Sequence, residues 1–182
     1  QWGEKSLEFV YGDGNQPFAV IYNDGSTSTL YYYVLNAQGD VAAILNSSGK
    51  LAASYDYDAW GNCTVYNNSD AAIGDLNPLR YRGYYYDAET GFYYLQSRYY
   101  DPAICRFINA DGLFTDGFIG ANLFAYCANN PVNTVDPTGN FAITATVALI
   151  TFGVALAATA FAVGISSSPG FQGALDDACK TA

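Results

Sequence analysis

The chain has 182 residues, 51% of them hydrophobic and only 13% charged, so it holds enough apolar material for a packed core and is not a disordered chain. A net charge of −10, with only seven Lys and Arg, argues against nucleic acid as a partner and against polybasic attraction to an anionic membrane surface. No histidine is present, which excludes Ser-His-Asp and Cys-His catalysis and leaves hydrolytic chemistry to carboxylates, or to a metal held by oxygen or sulfur.

The chain opens with β-favouring runs separated by turn residues. SLEFVY (Ser6 to Tyr11) precedes Gly-Asp-Gly-Asn, and PFAVIY (Pro17 to Tyr22) precedes Asn-Asp-Gly-Ser. TSTLYYYVL (Thr27 to Leu35) and DVAAILN (Asp40 to Asn46) come next, each closed by a Gly-containing turn. Runs of this length, rich in Val, Ile, Tyr and Thr, predict strands, and the Gly, Asn and Asp between them suit tight hairpins. Gly39, Gly49 and Gly61 recur at ten- and twelve-residue intervals, the mark of a strand-plus-turn repeat. Such repeats bury their faces only on neighbours, so an exposed edge is expected at the N-terminal end. With Gln1 first and no methionine, the chain is expected to be a piece of a longer precursor.

GKLAASYDYDAWGN (Gly49 to Asn62) shows the Tyr-Asp pair of the repeat directly. From Leu79 to Gly139 the sequence is LRYRGYYYDAETGFYYLQSRYYDPAICRFINADGLFTDGFIGANLFAYCANNPVNTVDPTG, with eight of the 17 tyrosines between Tyr81 and Tyr100. Rings spread so evenly read first as core, with hydroxyls on strand-edge backbone, and second as a platform for sugar or peptide. Asn122 to Ala128 is expected to form a short helical turn, stopped by Asn129-Asn130-Pro131.

After Gly139 the chain changes character. FAITATVALITFGVALAATAFAVGI (141–165) holds 25 residues without a charge. At about 1.5 Å per residue a helix of that length crosses a bilayer core. The run reads as a membrane helix, as a helix buried inside a larger parent, or as a helical hairpin broken near Gly153. Residues 166–182 form a short tail.

The ordered motifs of residues 31–139 resemble the RHS repeat-associated core, the C-terminal end of YD-repeat proteins. The resemblance implies an end piece of a bacterial toxin-encapsulating β-shell, secreted or at the cell surface. Its expected partners are the upstream YD repeats of the same parent and a C-terminal toxin segment, with a membrane contact through 141–165 as a further option. The expected fold is mainly β: an antiparallel YD-repeat hairpin meander over 1–140, then one hydrophobic α-helix. In some members of that family the core is an intramolecular aspartyl protease that releases the C-terminal segment. The matching residues are Arg106 in CRF, Asp111 in NADG and Asp136 in VDPTG, with a cut at Asn140–Phe141. Two carboxylates that share one proton would divide the work, one as acid and one as base, with Arg106 holding one of them. At the first site the motif departs from the family, reading Asp111-Gly112 without proline.

The competing reading makes these aspartates turn residues, and the whole chain a non-catalytic adhesion or carbohydrate-binding module anchored by its hydrophobic helix. Asp56, Asp58, Asp87 and Asp101 likewise read as turn residues, with calcium the alternative. Cys63, Cys105, Cys127 and Cys179 are scattered and lack a CxxC, so they are either buried thiols or one or two disulfides. No cofactor is expected.

Overall fold

The computed structural model describes residues 5–12, 15–69, 71–112, 122–140 and 142–144. Six strands form an antiparallel meander in chain order: β1 (Ser6–Tyr11), β2 (Pro17–Asn23), β3 (Ser28–Leu35), β4 (Val41–Asn46), β5 (Leu51–Tyr57) and β6 (Cys63–Asn67). A four-residue helix, α1 (Ile73–Leu76), packs on β5 and β6. A second antiparallel sheet comes after it, β7 (Tyr85–Asp87), β8 (Phe92–Tyr94), β9 (Tyr99–Asp101) and β10 (Arg106–Phe107). Last, β11 (Thr134–Val135) pairs with β12 (Ile143–Thr144). The mainly antiparallel β-architecture is the expected one. β1 has only β2 beside it among the described residues, so it is the N-terminal edge of the large sheet, with β6 at the other edge.

One turn recurs, and side-chain chemistry explains it. Asn36, Asn46 and Asp58 each accept two backbone N–H bonds on Oδ1, from residues two and four positions on. In each loop the glycine three residues on donates back to the carbonyl of that Asn or Asp. Gly39, Gly49 and Gly61 take φ of +85°, +74° and +91°, which a Cβ resists, and this closes the hairpin with a bulge. Asp58, of the second YD pair, is therefore a turn former, whereas Asp56 is not the turn residue expected: it lies inside β5, opposite Thr64. Like Asp58, Asp87 and Asp101 accept the N–H two residues on. No group of three or more metal-ligating side chains occurs among the described residues.

Two cores result. Val20, Tyr22, Tyr31, Val41, Ile44, Tyr55 and Ile73 fill the first, between the large sheet and α1. Tyr81, Tyr84, Tyr93, Leu95, Tyr100, Phe107 and Tyr126 fill the second. The buried tyrosines of the second core have their hydroxyls anchored. Those of Tyr81, Tyr100 and Tyr93 donate to the consecutive carbonyls of Ala59, Trp60 and Gly61 at 2.9, 2.7 and 2.9 Å. The last hairpin of the first sheet is thus plugged into the second core. Burial pushes the Tyr81 phenol up to about 12.

Two further expectations change, and for the described cysteines the free-thiol alternative holds. The helical turn over 122–128 is instead a short left-handed turn at Cys127–Asn129, whose residues have φ of 50°, 50° and 62°. Tyr126 in the core and Thr134, whose hydroxyl donates to the Cys127 carbonyl at 3.0 Å, hold it there. Cys63, Cys105 and Cys127 are free thiols, so none of the three is joined by a disulfide; Cys179 lies outside the described residues. The run 141–165 also lies outside them except for 142–144, and there Ile143–Thr144 is strand rather than helix. Among the described residues no helix is long and apolar enough to cross a membrane.

Candidate active site

The β8–β9 hairpin builds the site. Leu95 N–H donates to the Arg98 carbonyl at 2.9 Å, and Ser97 N–H to the Leu95 carbonyl at 2.6 Å, with Gln96 at φ +61°. This tight reversal starts β9 with its alternation fixed: Arg98 faces in, Tyr99 out and Tyr100 in. Arg98 is consequently buried, with its guanidinium carbon 3.6 Å from the centre of the Phe107 ring.

A buried guanidinium needs acceptors, and four residues on three chain segments supply them. Nη1 lies 3.1 Å from Asp111 Oδ2 and also donates to the Leu123 carbonyl at 3.2 Å. Nη2 lies 3.5 Å from Asp136 Oδ2, and Nε donates to the Gly139 carbonyl. The structure therefore brings together Asp111, Asp136 and the chain just before Asn140. The two carboxylates differ in access: the Asp111 side chain is 20% exposed and that of Asp136 only 2%.

Asp136 begins a turn that wraps its own carboxylate. Asn140 N–H donates to Asp136 Oδ1 at 3.1 Å. Burial raises the Asp136 carboxyl above the ordinary range, against the lowering influence of Arg98 and of the Gly139, Asn140 and Thr138 backbone. Tyr84 fixes the main chain, its hydroxyl donating to the Asp136 carbonyl at 2.9 Å. Gly139 takes φ +72° and lies so close to Leu95 that a Cβ would stand 2.6 Å from the Leu95 carbonyl oxygen.

Arg106, expected to hold one of the carboxylates, is placed elsewhere. Its Nη1 donates to Asn129 Oδ1 at 2.6 Å and to its neighbour's carbonyl, bracing the left-handed turn. Arg98 stands at the aspartates in its stead. One sequence signal points to it: in FYYLQSRYY (Phe92 to Tyr100) it is a lone charge within an aromatic run predicted to be buried. Phe141, on the far side of the expected cut, lies outside the described residues.

The Teneurin YD-shell family model matches residues 3–132. The chain belongs to this family. The tRNA3(Ser)-specific nuclease WapA of Bacillus spizizenii is 46% identical over 135 residues, 73% of this chain and 6% of that protein. The double-stranded DNA deaminase toxin A of Burkholderia cenocepacia is 35% identical over 120 residues, 66% of this chain and 8% of that protein. Among solved structures, the crystal structure of TcdB2-TccC3-TEV gives a TM-score of 0.63 at 27% identity, covering 75% of this chain and 7% of that one. This YD-shell segment thus spans less than a tenth of each relative's length. It is an RHS/YD shell domain related to polymorphic toxins such as WapA, as the motifs imply. The YD-shell match ends at residue 132, so Asp136 and its turn lie beyond it.

Proposed function

We propose that this segment closes a toxin-carrying β-shell and cuts its own chain at Asn140–Phe141, freeing the C-terminal segment that begins at Phe141. The observation that carries the reading is the convergence of Asp111, Asp136 and the Gly139 carbonyl on Arg98. Two relatives named for different chemistries, tRNA cleavage and DNA deamination, share this same region. A shared region serves both as a carrier more readily than as either catalyst. The parent is then a secreted or surface-displayed protein, with upstream YD repeats continuing from the N-terminal edge at β1. The apolar run 141–165 belongs to the released part, enclosed in the shell before the cut or inserted in a membrane after it.

The chemistry rests on the unequal carboxylates. Asp111, nearer solvent, takes a proton from a water whose oxygen bonds to the Asn140 carbonyl carbon. Asp136, whose carboxyl burial raises, gives a proton to the reaction centre. The carbon–nitrogen bond then breaks, and the departing Phe141 nitrogen gains a proton. One water is consumed, leaving a carboxyl on Asn140 and an amine on Phe141.

The non-catalytic alternative has one observation in its favour. Tyr85, Tyr94 and Tyr99 are cross-strand neighbours on the open face of the second sheet, with exposures of 50%, 43% and 43%, an array on which a sugar ring would stack. Intact mass of the expressed parent separates the two readings. Self-cleavage predicts a break at Asn140–Phe141 in wild type and none in Asp111→Asn or Asp136→Asn. A folded wild-type chain that stays whole reduces the site to a structural plug.

A further inference from the structure

The Arg98 cluster accounts for the carboxylates and for one carbonyl of the turn, but the turn is held by a second group. The Ser97 hydroxyl lies 2.8 Å from the Thr138 carbonyl oxygen and 2.8 Å from that of Gly139. We propose that Ser97 is a positioning residue for self-cleavage, seating the 136–140 turn on the β8–β9 hairpin so that the bond after Asn140 is presented to the carboxylates. This rests on the self-cleavage reading of the proposed function.

Three features support it. First, the hydroxyl has one proton and two acceptors in range, so it donates to one or the other carbonyl and retains the turn in either case. Second, the hairpin places it rigidly, through the bonds between Ser97 N–H and the Leu95 carbonyl and between Leu95 N–H and the Arg98 carbonyl. Third, the approach leaves no slack. A Cβ at Gly139 would stand 2.8 Å from the Ser97 oxygen itself, so the backbone is drawn up against that side chain. Arg98 grips the Gly139 carbonyl from the neighbouring position, so adjacent residues of one hairpin hold the turn. Ser97 touches the turn upstream of the reacting bond and takes no proton in the reaction.

The experiment tracks the cut in the full parent chain over time by intact mass, for wild type, Ser97→Ala, Ser97→Thr and Asp136→Asn. Ser97→Ala is expected to slow the cut about tenfold, the worth of one hydrogen bond. Ser97→Thr, which keeps the hydroxyl, is expected to restore it to within a few-fold. The alkaline limb of the rate profile should move up in pH for Ser97→Ala, because a loosened turn withdraws the backbone N–H groups that lower the carboxyl of Asp136, the acid of the reaction. Cutting by Ser97→Ala at the wild-type rate overturns the proposal. A wild-type chain as inert as Asp136→Asn defeats self-cleavage instead. Amide exchange at Asn140, whose N–H donates to Asp136, then decides on the positioning alone. Faster exchange in Ser97→Ala than in Ser97→Thr upholds it, and equal exchange removes it.

Discussion

Gly61 lies flat against the ring of Tyr81: a Cβ at Gly61 would stand 2.7 Å from Tyr81 Cδ1. Gly39 occupies the equivalent place in an earlier turn, with φ +85° against +91°, and has nothing within 4 Å. The pair separates backbone strain from packing. Gly39→Ala should cost about 1 kcal/mol, the expense of a left-handed non-glycine residue. Gly61→Ala should cost about 1–3 kcal/mol more, because it drives a methyl into a ring that is itself fully buried. Urea unfolding of both variants checks this, and equal losses would show that the first sheet does not depend on the second.

Asp58 is expected to behave as a turn former. Asn62 through its side chain, and the Asn62, Trp60 and Gly61 backbone, hold its carboxyl below the usual range, outweighing the opposite effect of partial burial. Its contribution is therefore present above the unfolded value and lost as pH falls through the lowered native one. Asp58→Ala should lose about 1 kcal/mol at neutral pH, while Asp58→Asn, which keeps the acceptor oxygen, should lose little. Thermal midpoints at pH 7 and pH 3 test it, with the gap between wild type and Asp58→Ala narrowing in acid.

Asp136 carries the opposite sign. Burial raises its carboxyl, so folding favours the protonated form. The stabilisation is complete below the unfolded value and is lost as pH rises through the raised native one. Relative to Asp136→Asn, wild type should become steadily less stable as pH is brought up from 4 toward neutrality. A stability difference independent of pH over that span would mean that Asp136 is already ionised in the native state.

Arg98→Ala should destabilise by about 3–5 kcal/mol, since it removes at once the shared donor of the Asp111 and Asp136 carboxyls and of the Leu123 and Gly139 carbonyls. Arg98→Lys should recover only part of this, because a single ammonium cannot reach Asp111, Asp136 and the Gly139 carbonyl in the forked geometry of a guanidinium. Chemical denaturation measures both, and full recovery by lysine would reduce the cluster to simple charge pairing.

The hairpins are legible in the sequence because alternation and turn chemistry are local properties. Strands predicted at Ser6 to Tyr11 and Asp40 to Asn46 lie within one residue of β1 and β4. Asp111 and Asp136 are legible through motifs, and the structure does bring them to one place. Arg98 is legible only as a charge in an apolar run and its role is not, because its partners Asp136 and Gly139 come 38 and 41 residues later and only the packing of the hairpin reveals them. Arg106 is the closer arginine to Asp111 in sequence and so the natural expectation, yet its side chain turns to Asn129. Helix α1, at four residues, is too short to carry a period.

The guanidinium of Arg98 also imposes an order of events. Its acceptors lie on Asp111, Leu123, Asp136 and Gly139, so the residues of the cluster leave the ribosome one after another, the first 41 positions ahead of the last. A half-made chain has the hairpin and no turn to grip, and a misfolded one has the turn with nothing to seat it. The cluster is thus complete only once Gly139, the last of its members, has been made.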